Sequence, residues 1–307
     1  MQNFTHVSIC RTINSQIQSI QSTTQEFSFF GGWRKPYRSG GCKDNPTWNQ
    51  NPQYQLILNK RGKLLVSLQQ RESRLFGYHH QTDFTSELSI GFHVFKAEGN
   101  RTFRLHQQVC DAGGTFSFIN TRQVAQCLEL EPGNYVIIPV TYAPGYEGDY
   151  MLRVCSYESA ICKELLDEIP RELASFPSPP MIVSLWINQM TLEKRSGFHL
   201  DNKVFIQCSM GSNRHTTRTM TSSSTKIEEG LIFYSNTKSP ISLEVIHPSK
   251  FKSDKTLAAC QFTLDKFLAK PRATRLRARA TLTKPGSSEI IGTVDYSVSI
   301  HADPYSV

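Results

Sequence analysis

A chain of 307 residues with 38% hydrophobic and 20% charged side chains is long and apolar enough for two packed cores, and its composition excludes an intrinsically disordered protein. Its longest clean apolar run, Tyr135–Val140, falls far short of the roughly 20 residues a membrane-spanning helix needs. The net charge of +8 is unevenly placed: residues 1–180 hold 17 Lys/Arg against 16 Asp/Glu, and residues 181–307 hold 17 against 10, so the second part is the one expected to meet an anionic partner.

The chain begins Met-Gln-Asn-Phe-Thr-His, with neither the basic stretch nor the apolar core of a secretory signal. Eight cysteines (Cys10, Cys42, Cys110, Cys127, Cys155, Cys162, Cys208 and Cys260) are spread over the whole length without a CxxC pair. They read as free thiols in a reducing compartment, which predicts a cytoplasmic protein.

Residues 39–58, SGGCKDNPTWNQNPQYQLIL, bring together a cysteine, two Asn-Pro steps and a tryptophan, the residue types of a thiol protease. A thiol nucleophile needs a histidine base and a third group to orient that base. Cys42 has no recognisable base in sequence, and His79 and His80 lie in a polar stretch with Gln81 and Thr82. Cys42 is therefore expected to be a small buried hydrophobe.

Beyond this point the chain reads as short strands. Ser89–Phe95, Phe116–Ile119, Tyr135–Ile138 and Tyr150–Val154 are aromatic or β-branched, and turn signals at Glu131-Pro-Gly-Asn134 and Ala143-Pro-Gly145 separate them. A short helix is expected near Lys163–Asp167. Residues 163–181 carry Pro170, Pro177, Pro179 and Pro180 and read as an extended linker. The pattern then resumes with Ile182–Ile187, Val204–Cys208, Leu231–Tyr234, Ile241–Ile246 and Val294–Ile300, the last with strict apolar–polar alternation. The prediction is all-β, with two antiparallel sandwiches in tandem.

Few chemical motifs are present. The histidines have no Cys or carboxylate at metal-ligand spacing, and there is neither a phosphate-binding glycine loop nor a G-x-S-x-G elbow, so no metal or cofactor is expected. The conspicuous feature is basic: Lys270, Arg272, Arg275, Arg277 and Arg279 follow one another without an intervening acid. In a strand, the spacing of Arg275, Arg277 and Arg279 puts three guanidinium groups on one face, while Leu276, Ala278 and Ala280 pack on the other. These five residues are the candidate site for an anionic membrane surface or a protein partner. Nucleic acid is not expected, because no aromatic platform accompanies the charges.

At this level the strings themselves become recognisable. GGCKDNPTWNQNPQYQL (40–56), IGFHVFK (90–96), SFINTRQV (117–124) and LEPGNYVIIPVTYAPGYEGDYMLRV (130–154) resemble, in order, the third domain of the calpain family. NKVFIQCSMGSNRHTTRTM (202–220) and GLIFYSNTKSPISLEVIH (230–247) resemble the C2 domain that ends the atypical calpains of the five and six type, which lack EF-hands. The resemblance implies a remnant of the protease core and a connection at 1–38, calpain domain III at 39–165, the linker at 166–180 and a C2 domain at 181–307. The calpain catalytic motifs G-D-C-W, G-H-A-Y and N-P-W-G do not occur in the sequence. The expected role is thus non-catalytic, as a regulatory or targeting region that serves a membrane, a protein partner or a protease core; the alternative is the C-terminal part of a longer, active cysteine endopeptidase. Calcium occurs in the family but is not expected here. The acids available for calcium loops are Glu193, Asp201 and Asp254, set among lysines and arginines.

Overall fold

The computed structural model describes residues 25–71, 87–171, 173, 181–193, 203–222, 226–249, 253–268 and 275–307. They pack as two compact units. The first comprises the described residues up to Lys96 together with Gln108–Leu165, and the second comprises Ala97–Gln107 together with the described part of Leu166–Val307.

Unit 1 is built from β1 (Gln25–Trp33), β2 (Tyr54–Leu58), β3 (Gly62–Gln70), β4 (Ser89–Ala97), β5 (Cys110–Gly114), β6 (Ile119–Asn120), β7 (Gln123–Leu130), β8 (Gly133–Thr141), β9 (Gly148–Ser156) and β10 (Ala160–Glu164). One antiparallel sheet has the order β1-β9-β3-β7; the other has the order β10-β2-β8-β4-β5, with β6 beside β4. Period-two alternation explains the core. Tyr150, Leu152 and Val154 of β9 point inward with Leu64, Val66 and Leu68 of β3, and they meet Tyr54, Leu56, Ile90, Phe92 and Val94 from the facing sheet. Each such side chain contributes about 1.5–3 kcal/mol on burial.

Two expected elements differ from those found. Phe116–Ile119 is not a strand: only Ile119–Asn120 pairs, with β4, and Phe116 stands out in solvent at 94% exposure. An aromatic run without a partner for its backbone does not hold a strand by propensity alone. The helix expected near Lys163–Asp167 is replaced by β10, whose residues 160–164 pair with β2 from Leu58 back to Tyr54. An edge strand offering its hydrogen bonds outweighs the weak local preference for one helical turn.

Unit 2 comprises β11 (Met181–Leu192), β12 (Lys203–Met210), β13 (Asn213–Thr216), β14 (Met220–Thr221), β15 (Lys226–Ser235), β16 (Ile241–His247), β17 (Lys255–Phe262), β18 (Leu276–Thr283) and β19 (Ile290–His301), with a one-turn helix at Asp265–Leu268. The strand order is β13-β12-β16-β17-β18-β19-β11-β15, with β14 beside β12. β17 meets β18 through the pair Ala259 and Thr283, so the sheet folds there into two layers. Between them lies a core of Val183, Leu185, Ile187, Val204, Ile206, Val294, Val298 and their neighbours, in which the Phe262 and Tyr296 rings stack at 4.2 Å.

The opposite face of β11 is also covered. Ala97–Gln107, the excursion between β4 and β5, belongs to unit 2, and Phe103 packs there with Ile182, Ile232 and Val307. Ser297 and Ser299, which alternation assigns to solvent, are buried as well. The excursion also protects β15, which ends the strand order. Gly99 N–H donates to Gly230 O at 2.7 Å, and the Asn100 side-chain amide exchanges two 2.8 Å hydrogen bonds with the backbone of Ile232. An asparagine here satisfies backbone groups that an unpaired edge would leave open.

Candidate functional site

Cys42 and its neighbours form a hydrogen-bonded framework. The thiol is buried and receives a 3.3 Å contact from Asn45 Nδ2. The nearest histidine in this network is His93, whose Nε2 accepts the Lys43 N–H at 3.1 Å. Burial, reinforced by Lys43, pushes the His93 pKa down to about 4. Its one lone pair is already engaged, so it has no free acceptor to draw a proton from the thiol. Asn51, fully enclosed, accepts from Gly40 N–H at 3.0 Å and donates to Gly41 O and Trp48 O. The Asn-Pro steps of this stretch close a loop. His79 and His80 lie outside the described residues.

The arginine face is formed as alternation predicts, but its members are unequal. Along β18, Arg277 and Arg279 are exposed while Leu276, Ala278 and Ala280 are partly buried against the core. Arg279 makes a bidentate pair with Asp295 of β19, at 2.5 and 2.8 Å, because the register places the two residues opposite each other. That hydrogen bond holds the Asp295 carboxyl below the usual carboxylate range. The guanidinium of Arg275 lies 4.6 Å from the Trp186 ring centroid, a cation–π contact that retains the charge while fixing its position. Arg277 faces Ser297 and makes no ion pair among the described residues. Lys270 and Arg272 lie outside the described residues.

Trp186 connects this face to a cluster that sequence reading did not find. Its Nε1–H donates to Ser184 Oγ at 3.1 Å, and Ser184 Oγ–H donates to Glu98 Oε1 at 2.8 Å. Glu98 Oε2 accepts from Arg101 Nε at 2.7 Å, and Arg101 stacks over Phe103 at 4.5 Å. Burial alone would raise the Glu98 carboxyl, but the Arg101 charge and the hydrogen bonds from Arg101 and Ser184 hold it below its ordinary value. Gly230 is required beneath the indole: a Cβ there would stand 2.5 Å from the ring.

Of the acids weighed for calcium, Asp254 is engaged locally. Asp254 Oδ1 accepts the Ser249 N–H at 3.0 Å, which closes its own loop, and Asp201 lies outside the described residues. Among the described residues no three His, Cys, Asp or Glu side chains gather at metal-binding distance.

A family model for domain III of the calpain large subunit matches residues 29–155. Calpain-5 of Mus musculus is 32% identical over 254 residues, covering 79% of this chain and 39% of that protein. The Calpain-1 catalytic subunit of Gallus gallus is 30% identical over 198 residues, covering 57% of this chain and 27% of that protein. The chain thus spans well under half the length of these relatives. Among solved structures, a C2 domain of plant Extended Synaptotagmin 1 covers 40% of this chain and 95% of its own at 9% identity and a TM-score of 0.35. The SMP domain and paired C2 domains of Extended-Synaptotagmin 2 cover 80% of this chain and 58% of their own at 12% identity and a TM-score of 0.33. The chain belongs to the calpain family, as a C-terminal region in which domain III is followed by a second β-sandwich.

Proposed function

We propose that these residues form a non-catalytic targeting region, and that unit 2 docks on an anionic membrane surface through the outer face of β18 without calcium. The observation that carries this reading is Arg277, a fully charged side chain with no counter-ion among the described residues, beside an Arg275 held in place by Trp186. The charge excess of residues 181–307 supports it, because a positive field draws the domain toward acidic headgroups before any contact forms. Arg279 contributes less, since Asp295 already neutralises it. The test is sedimentation with vesicles containing phosphatidylserine in the presence of a calcium chelator; binding should occur and should weaken as salt shortens the Debye length to about 8 Å at physiological ionic strength.

A second reading rests on coverage. With the chain spanning 39% of the length of Calpain-5, the targeting region serves a longer polypeptide that carries a cysteine endopeptidase core, acting inside the cell by limited proteolysis. Reading the coding sequence upstream of Met1 for an in-frame G-D-C-W, G-H-A-Y and N-P-W-G series tests it. In either reading the purified chain of 307 residues is expected to hydrolyse no peptide, because Cys42 has no histidine base among the described residues.

A further inference from the structure

The turn of unit 1 that carries Phe116 is fixed on both sides while its tip stands in solvent. Before the tip, the Thr115 N–H donates to Phe92 O at 2.9 Å, and Thr115 Oγ1 accepts the Phe92 N–H at 3.1 Å. After it, Ile119 and Asn120 pair with Ile90 and Ser89 of β4. The Phe118 ring lies against Gly91, where a Cβ would stand 2.5 Å from it, and the Tyr142 and His93 rings are 5.6 and 5.8 Å away. Phe116, between these anchors, is 94% exposed. Its phenyl is thus held out before any partner arrives, which lowers the ordering cost of a contact made there.

The surroundings point to the kind of partner. Ile119 on the same turn is exposed, and so are Tyr142 and Tyr146 on the connection between β8 and β9, which meets the turn through Tyr142 and Phe118. Residues 112–121 and 141–146 contain no Asp, Glu, Lys, Arg or His. Of the acids nearby, Asp111 pairs with Lys43, and Asp149 with Arg34 and Arg71. The two segments therefore present apolar and phenolic surface without an ion to desolvate, and the closest charges are matched in sign.

A protein pocket must fit the shape of a protruding phenyl, whereas a lipid interface accepts it in any arrangement. Phenyl and aliphatic groups enter the acyl boundary, and tyrosines, with an apolar body and a polar hydroxyl, rest at headgroup depth. A zwitterionic surface also suits segments that bring no charge of their own. We infer that these two segments insert into a phosphatidylcholine surface, with Phe116 and Ile119 in the acyl boundary and Tyr142 and Tyr146 among the headgroups. The contact draws on buried apolar area, so it is independent of the arginine face on β18.

Sedimentation of the 307-residue chain with vesicles of phosphatidylcholine alone, in a calcium chelator, tests it. The parent should bind, and raising the salt should leave that binding almost unchanged, in contrast to the response expected with phosphatidylserine. Phe116→Ser, at a position with no core contact to lose, should weaken binding at least about tenfold. Phe116→Trp should bind as well as the parent, and phosphatidylcholine brominated in its acyl chains should quench its emission beyond the quenching seen with the parent. Arg277→Gln should leave binding to these vesicles unchanged, so failure here and failure of docking through β18 are read separately. A parent that stays in the supernatant overturns the inference, as does Phe116→Ser sedimenting as the parent does. Self-association of the parent in analytical ultracentrifugation, lost in Phe116→Ser, would also overturn it and assign the patch to a second copy of the chain.

Discussion

The Glu98 carboxylate accepts a 2.7 Å hydrogen bond from Arg101, and the two side chains are 2% and 0% exposed. Three residues apart in an excursion of the chain, they form a closed ion pair on the outer face of β11. Desolvating both charges costs several kcal/mol, which their mutual attraction and the added hydrogen bonds from Ser184 Oγ–H and to the Arg104 carbonyl offset.

Breaking the pair from one side should be severe. Glu98→Gln or Arg101→Met leaves one buried charge uncompensated and should destabilise unit 2 by about 3–5 kcal/mol in urea unfolding. The double variant Glu98→Leu/Arg101→Leu should cost less than the sum of the single substitutions, which a double-mutant cycle would read directly.

His93 gives a pH signature of opposite origin. Its folded pKa of about 4 lies below the ordinary 6.5, so the unfolded chain binds the extra proton between those values. Stability from this site is complete above pH 6.5 and is lost as the pH falls to about 4, a loss on the order of 3 kcal/mol. His93→Gln preserves an acceptor for the Lys43 N–H and should flatten that part of the stability–pH curve; an unchanged slope would show that His93 titrates normally in the fold.

Calcium should have almost no effect on stability. Asp254 is committed to the Ser249 N–H, and no acidic cluster forms among the described residues. A ligand stabilises the fold only if it binds the folded state, so millimolar calcium should move the melting temperature by less than about a degree. A clear rise that Asp254→Asn abolishes would reveal a site.

Alternation was the signal that carried most of the fold. Val294, Tyr296 and Val298 alternating with polar residues marked β19, and Arg275, Arg277 and Arg279 marked one face of β18, because a strand reports its two faces with period two. What sequence did not reveal depends on contacts between distant segments. Ser297 and Ser299 alternate with the core residues of β19 and so look like solvent positions, yet both are buried, Ser297 with its hydroxyl on the Asn188 side chain. Glu98 and Arg101 look like surface charges, and nothing local foretells their burial. The pairing of Arg279 with Asp295 follows from strand register, which a list of basic residues does not contain. Phe116 shows the opposite failure, since a strand-forming composition is not enough where no neighbour pairs.

The most direct test of docking through β18 is vesicle sedimentation of two substitutions that change the face by one charge in opposite directions. Arg277→Gln removes a cation with no ion pair among the described residues and should weaken binding to phosphatidylserine vesicles about fivefold, the equivalent of about 1 kcal/mol per basic residue near an acidic surface. Asp295→Asn releases Arg279 from its counter-ion and should strengthen binding by a similar factor, with both differences shrinking as salt is raised. If both variants sediment as the parent does, the arginines of β18 are a solvated strand face and the membrane is met elsewhere.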